Sequence, residues 1–325
     1  MRDIITIGSA TRDVFLLSDH FKLMNSHQFE TGVGECVPLG SKIEIEEKIE
    51  STGGGATNAA VTFSRLGFSA AIVARVGNDA AGREVLADLV REKIDTSLVR
   101  TIRKGETGYS TLLTAQTGER SVLVYRGVSA DFTSADIPWH DLSARWLYIT
   151  SLAGNLALVK RLAEDAAKHG AAVAWNPGHS ELAKGLASFR AILPFISLLL
   201  VNREEAAMLT HEDDPTAAYH MLSRIGAAGT VVITDGDKGA YAFRRDGAWK
   251  SSTTGAPAIS RTGAGDAFGS GLVAALLKGF PLPTALAIGT LNAESVVSHV
   301  GAKKGILKKW PRKAQIAHVK VREIK

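Results

Sequence analysis

The sequence holds one cysteine, Cys36, in 325 residues, which excludes an intramolecular disulfide and fits a reducing compartment such as the cytoplasm. No histidine neighbours Cys36 in sequence to activate it, so it reads as an ordinary loop or strand residue. Long apolar runs are missing too. The densest, Ala191 to Val201, contains Pro194 and falls short of the roughly 18 to 20 residues that cross a bilayer. Met1-Arg2-Asp3 puts an acidic residue ahead of the apolar run Ile4 to Gly8, unlike the basic start of a signal peptide, and this run reads as the first strand of the fold. Aromatic residues are scarce where a nucleic-acid surface would need them. Much of the net charge of +5 lies at Lys303, Lys304, Lys308, Lys309, Arg312, Lys313, Lys320, Arg322 and Lys325, with only Trp310 among them. That stretch reads as a solvated basic face, so neither nucleic acid nor membrane is expected as a partner. There is no tandem repeat and no low-complexity linker.

With 45% hydrophobic and 22% charged residues, the chain can bury a full core. One large domain over residues 1–325 is expected. Ile4 to Gly8, Ala70 to Val76, Trp146 to Thr150, Ala172 to Asn176, Leu198 to Asn202 and Val231 to Thr234 read as strands buried on both faces. Helical periodicity lies between them: Ala59, Phe63 and Leu66 share a face, as do Val85, Leu86, Leu89 and Val90, and Leu156 to His169 is amphipathic. This alternation predicts a doubly wound α/β fold. Two segments break it. Ile43, Ile45 and Ile49 alternate with Glu44, Glu46 and Lys48, and Thr107 to Arg126 holds two β-prone stretches around a turn at Thr117-Gly118-Glu119-Arg120. They predict a small projecting sheet, from segments at about 14–50 and 105–128, that covers a partner subunit or the mouth of an active site. Gly32 to Gly40 reads as an irregular, mobile loop.

The strongest chemical signal is Arg261-Thr262-Gly263-Ala264-Gly265-Asp266-Ala267-Phe268-Gly269-Ser270-Gly271, a Gly-rich turn entering a helix. Such a start offers free backbone N–H groups and a positive dipole end to an anion. A carboxylate there serves phosphate poorly, but serves to take a proton from an attacking hydroxyl; alternatively, Asp266 caps the helix and Gly269 and Gly271 allow close packing. The second signal is Gly53-Gly54-Gly55-Ala56-Thr57-Asn58, which suits close approach of a polyol to the backbone or, alternatively, forms a flexible loop and N-cap.

Together these two segments, in this order, resemble the paired signatures of the ribokinase-like (PfkB) carbohydrate kinase family. Gly77-Asn78-Asp79 with Gly82, Ile94-Asp95-Thr96-Ser97, Asn202 with Glu205, and Thr234-Asp235-Gly236 with Gly239 extend the likeness from Ile4 to about Gly305. The resemblance implies a three-layer α/β/α sandwich with a mainly parallel central sheet and a small β-sheet lid. It also implies an ATP- and Mg²⁺-dependent kinase. By resemblance Asp266 is the catalytic base, and Gly263, Ala264 and Gly265 form an anion hole. Asp13, Gly54, Gly55 and Asn58 hold the acceptor. Asn202, Thr234, Gly236, Gly239 and Asn292 bind the nucleotide, and Glu205 holds Mg²⁺ through water. Ser260-Arg261 stands where many members carry Asp-Thr of a monovalent-cation site, so weak dependence on K⁺ is expected.

A ribokinase is the leading expectation. A nucleoside kinase is the alternative, with Trp175, Phe29 and the Gly32 to Gly40 loop as room for a base. A phosphosugar acceptor would use Arg103, Arg126 or Arg261. From another class, the alternative is a catalytically silent sugar- or nucleotide-binding regulatory protein on the same fold. The amphipathic strands of the small sheet point to a homodimer through it.

Overall fold

The computed structural model describes residues 1–29, 32–115 and 120–324. The turn expected at Thr117 to Glu119 therefore lies outside the described residues. The chain opens with β1 (Arg2–Ile7), whose side chains alternate between the two faces of the main sheet. Ile5 and Ile7 enter one core cluster and Ile4 the other, each fully buried. A strand covered on both sides has no solvent face to keep polar, which is why its sequence is a continuous apolar run.

Next come β2 (Thr11–Leu17), β3 (Lys22–Asn25), β4 (Val33–Cys36) and β5 (Glu47–Gly53), then helix α1 (Gly55–Arg65). β6 (Ala70–Val73) returns to the main sheet, and β7 (Arg75–Gly77), α2 (Ala80–Arg91) and β8 (Arg100–Ile102) follow. β9 (Gly108–Thr114) and β10 (Arg120–Tyr125) form an antiparallel pair. The single run expected over Ala70 to Val76 is thus two strands in two different sheets. The strand expected from Ile43 begins only at Glu47. Ile43 and Ile45 are half-buried between exposed neighbours, so the alternation is real, but these residues form no ladder. Val33–Cys36 of the supposed loop pairs with Lys22–Asn25, so that segment is partly a hairpin, and Cys36 is a strand residue.

In the second half, β11 (Ala144–Ile149), α3 (Leu156–Lys168) and β12 (Ala172–Trp175) precede the short helices α4 (His179–Leu182) and α5 (Leu186–Phe189). β13 (Leu198–Asn202), α6 (Arg203–Thr210), α7 (Pro215–Arg224) and β14 (Thr230–Thr234) complete the parallel part. β15 (Ala240–Arg244) and β16 (Gly247–Ser251) lead to α8 (Ala264–Leu277), α9 (Leu282–Val297), α10 (Lys313–His318) and β17 (Val321–Ile324).

The main sheet has nine strands in the order β17-β16-β15-β14-β13-β12-β11-β1-β6. Those from β14 to β6 are parallel, and β15, β16 and β17 continue antiparallel. α1, α8 and α9 cover one face, while α3, α6 and α7 cover the other. The small sheet has the order β10-β9-β2-β5. Its central strand β2 runs directly on from β1 and carries Asp13, so the chain enters the small sheet at Thr11, ahead of the segment marked by the sequence.

Candidate active site

The small sheet is fixed to α2 by polar side chains. Arg12 pairs with Glu50 at 2.6 Å and also with Glu84. Asp79 caps α2 through Gly82 at 2.7 Å and accepts from Thr107, the residue before β9, through N–H at 2.8 Å and Oγ1 at 2.6 Å. A cavity of about 250 Å³ lies between this sheet and the main one, and Asp13, Gly54, Gly55, Asn58, Gly263 and Asp266 all line it. Residues from three separate stretches of sequence thus meet in one place.

Asp13 is 7% exposed. Gly53 on β5, paired with Thr11 and diagonal to Asp13, leaves room for the Asp13 carboxylate, where any Cβ would collide. Burial pushes the Asp13 carboxyl above the ordinary value, and hydrogen bonds from Thr11 and Ser110 and the charge of Lys303 oppose that shift. Gly54 adopts φ +98°, which glycine tolerates without strain, and starts α1 so that Asn58 faces the cavity.

The turn before α8 ends at Gly263, with φ +80°, whose Cα packs against Ala302. No side chain caps this helix. Among the described residues the backbone N–H groups of Gly265 and Asp266 have no partner, so the helix start presents free donors. The Asp266 carboxylate accepts from Asn58 Nδ2 at 2.8 Å and caps nothing. Burial raises its pKa above the usual carboxylate range. The Asn58 hydrogen bond and the Lys303 charge work against that rise, and the nearby Asp13 adds to it. Three buried polar atoms of cavity-lining residues lack a partner: Asn58 Oδ1, Ser129 Oγ and Thr262 Oγ1. Buried polar groups are nearly always satisfied, so these fit a polar ligand. Gly269 and Gly271, by contrast, serve packing alone, since a Cβ would press on Tyr148 or Asn292.

The other expected site residues lie elsewhere. Asn202 and Thr234 face one another at the ends of β13 and β14. Gly236 and Gly239 form the turn after β14, both with positive φ. Asn202 and Glu205 make a reciprocal capping box, each accepting from the other's backbone N–H at 2.8 Å. Burial raises the Glu205 carboxyl, and Asp266 is close enough to contribute. Among the described residues no group of three or more acidic, histidine or cysteine side chains could hold a metal. One carboxylate fits a Mg²⁺ that keeps most of its waters. Asn292 has to be corrected. It is fully buried, donates to Ala267 carbonyl at 2.7 Å and to Thr62 at 3.3 Å, and accepts from Leu307 at 3.0 Å. Its polar groups tie α9 to α8 and α1, and it does not reach the cavity.

Lys303 was hidden in the basic run. It is 6% exposed, not solvated; its ammonium donates to Thr52 at 2.7 Å and to Asp88 at 3.2 Å. Burial lowers its pKa while Asp88 opposes that, and Thr52 also bonds Asp88. The other named basic residues of the run that are described, from Lys304 to Arg322, are exposed. Trp310 donates to Leu66 carbonyl at 3.0 Å and packs against Phe68 and Phe280.

Comparison with known proteins gives the family and the fold. Ribokinase of Haemophilus influenzae is 27% identical over 260 residues, covering 78% of this chain and 83% of its own. The Arabidopsis thaliana ribokinase structure complexed with ribose and ATP superposes with a TM-score of 0.76 at 19% identity, covering 97% of both chains. The Burkholderia thailandensis nucleoside kinase in complex with inosine gives 0.76 at 19%, covering 96% of both. These two structures establish a shared fold, the ribokinase fold with separate small sheets. The family profile described as pfkB family carbohydrate kinase matches residues 1–309, and the chain belongs to that family.

Proposed function

We propose that this chain, acting as one kinase domain with the small sheet as its lid, transfers the γ-phosphoryl group of ATP to a hydroxyl of a sugar. The observation that carries this reading is the Asp266 carboxylate. It sits at an uncapped helix start with free N–H donors, in the same cavity as Asp13 and Asn58. Asp13 and the orphan Asn58 Oδ1 would hold acceptor hydroxyls. Asp266 would take the proton as the acceptor oxygen bonds to the γ-phosphorus and the bond to the β–γ bridging oxygen breaks, releasing ADP. The N–H groups after Gly263 would stabilise the charge on the transferring group. Bound ATP supplies the phosphoryl group, and Mg²⁺ supplies counter-charge to its phosphates. Glu205 would hold that ion through water, with Asn202, Thr234, Gly236 and Gly239 on the nucleotide side.

A sugar is favoured over a nucleoside because, among the described residues, no aromatic side chain lines the cavity. Trp175 is fully buried and stacks on Phe189 at 4.8 Å, so it offers no platform for a base. The reading includes a homodimer through the small sheet, whose edge strand β10 exposes Val122, Leu123, Val124 and Tyr125. An assay of ADP release with ribose, fructose, adenosine, cytidine and inosine tests the function. Turnover with a sugar and little with nucleosides is expected, and the absence of ADP release with every one of these acceptors would overturn the kinase reading.

A further inference from the structure

Two cross-strand rows of the lid face the cavity. In the first, Asp13 on β2 lies beside Ser110 on β9, which lies beside Val124 on β10. In the second, Thr11 lies beside Gly108, and Gly108 comes up against the backbone of Arg126, just past the end of β10. Strand alternation puts Arg126 on the same face as Val124, and both line the cavity. Glycine at 108 lets these strand ends meet closely, since a Cβ there would come within 3.0 Å of the Thr11 methyl and 3.1 Å of the Arg126 carbonyl.

The hydrogen-bonding capacity at this end is uneven. The hydroxyls of Thr11 and Ser110 are engaged by Asp13. Ser129, three residues after Arg126 and also lining the cavity, is 8% exposed, and its Oγ has no partner. Among the described residues Arg126 is the cavity's one basic lining residue, and no hydrogen bond or ion pair is formed by its side chain. Arg103 and Arg261, the other two arginines that a second anion would use, do not line the cavity. A neutral polyol gives no use to a guanidinium at the rim of a site that already holds two carboxylates. A compact oxyanion does, since the planar fork matches carboxylate and phosphate oxygens.

We propose that the acceptor sugar carries an oxyanion, a phosphate or a carboxylate, bound by Arg126 with Ser129 at the lid end while the reacting hydroxyl lies at Asp266. The inference rests on the kinase reading above and narrows its acceptor. It orients the sugar: the anionic end points away from Asp13 and Asp266, where two carboxylates would repel it.

The test compares kcat/KM for fructose, fructose 6-phosphate, gluconate and ribose in the wild type and in Arg126→Gln and Arg126→Lys. The arginine is exposed, so neither substitution threatens the fold. The wild type is expected to prefer an anionic acceptor over its neutral counterpart at least tenfold. Fructose 6-phosphate over fructose reports a phosphate site, and gluconate over ribose reports a carboxylate site. In Arg126→Gln that preference falls by roughly 10- to 100-fold, with Arg126→Lys intermediate and the KM for ATP unmoved. A wild type that turns over a neutral sugar as well as the anionic ones overturns the inference while leaving the kinase reading intact. So does an Arg126→Gln variant with an unaltered preference. No ADP release with any of the four sinks both.

Discussion

A carboxamide at position 266 has nearly the shape of the carboxylate it replaces, so Asp266→Asn separates charge from packing. If Asp266 takes the acceptor proton, kcat falls by about 10²- to 10⁴-fold, while ATP affinity, set by the backbone donors, stays within about threefold of wild type. The same variant reports on stability. Burial holds the Asp266 pKa above its ordinary value in the folded chain. Its protonated form therefore favours folding below the unfolded pKa, and that contribution is lost as pH rises through the folded pKa. Asp266→Asn should melt at or above the wild-type temperature at pH 7, with the difference vanishing below the ordinary carboxylate range. Retention of more than about a tenth of kcat in a folded, ATP-binding variant would remove Asp266 from the chemistry. Asp13→Ala acts on the other substrate. If Asp13 accepts from sugar hydroxyls, KM for the sugar should rise about 10- to 100-fold with KM for ATP little changed, and an unmoved sugar KM would take Asp13 out of the site.

Lys303 joins three elements at once: β5 through Thr52, α2 through Asp88, and the turn whose Ala302 packs on Gly263. Its charge faces Asp88, Glu92, Asp13 and Asp266, and its carbonyl accepts from the Arg65 guanidinium at 3.0 Å. If Asp266 takes the acceptor proton, activity needs it ionised and is lost as pH falls through its folded pKa. Lys303→Met removes a cation that lowers that pKa, so the acid limb of kcat/KM should move to higher pH. A purely structural lysine would lower the melting temperature and leave the limb where it was. This residue was illegible in the sequence because a lysine in a basic run looks solvated until the fold brings Asp88 and Thr52, more than two hundred positions earlier, against it. The parallel strands were legible for the opposite reason. Leu198 to Asn202 has its inward residues covered by helices on both faces, and that apolar run needs no tertiary knowledge to be seen. The Gly263 turn and the Gly53 turn were readable as local backbone signals. β2 was not, since Thr11 to Leu17 shows its strand character only beside β5 and β9. Asn292 sits in an apolar helix where a polar residue can serve a ligand or the core, and only its three hydrogen bonds decide for the core.

At the scale of the whole molecule, the exposed edge of β10 is the surface that a second copy would cover. Light scattering at micromolar concentration is expected to give twice the mass of the 34.4 kDa chain, and Leu123→Lys with Val122→Lys should return the monomer. A wild-type monomer at that concentration would count against the dimer. The order of the main sheet has a different consequence, one for the chain as it is made. β1 lies between β6 and β11, with Arg2 opposite Ala144. On a ribosome, β1 must wait for neighbours synthesised seconds later, at about 5 to 20 residues per second. Its unpaired N–H and C=O groups and its isoleucines stay uncovered in the meantime. The cavity itself closes only when Ala302 and Lys303 have followed. A chain that stalls before residue 302 therefore lacks both the Ala302 wall of the cavity and the edge strand β17 of the main sheet.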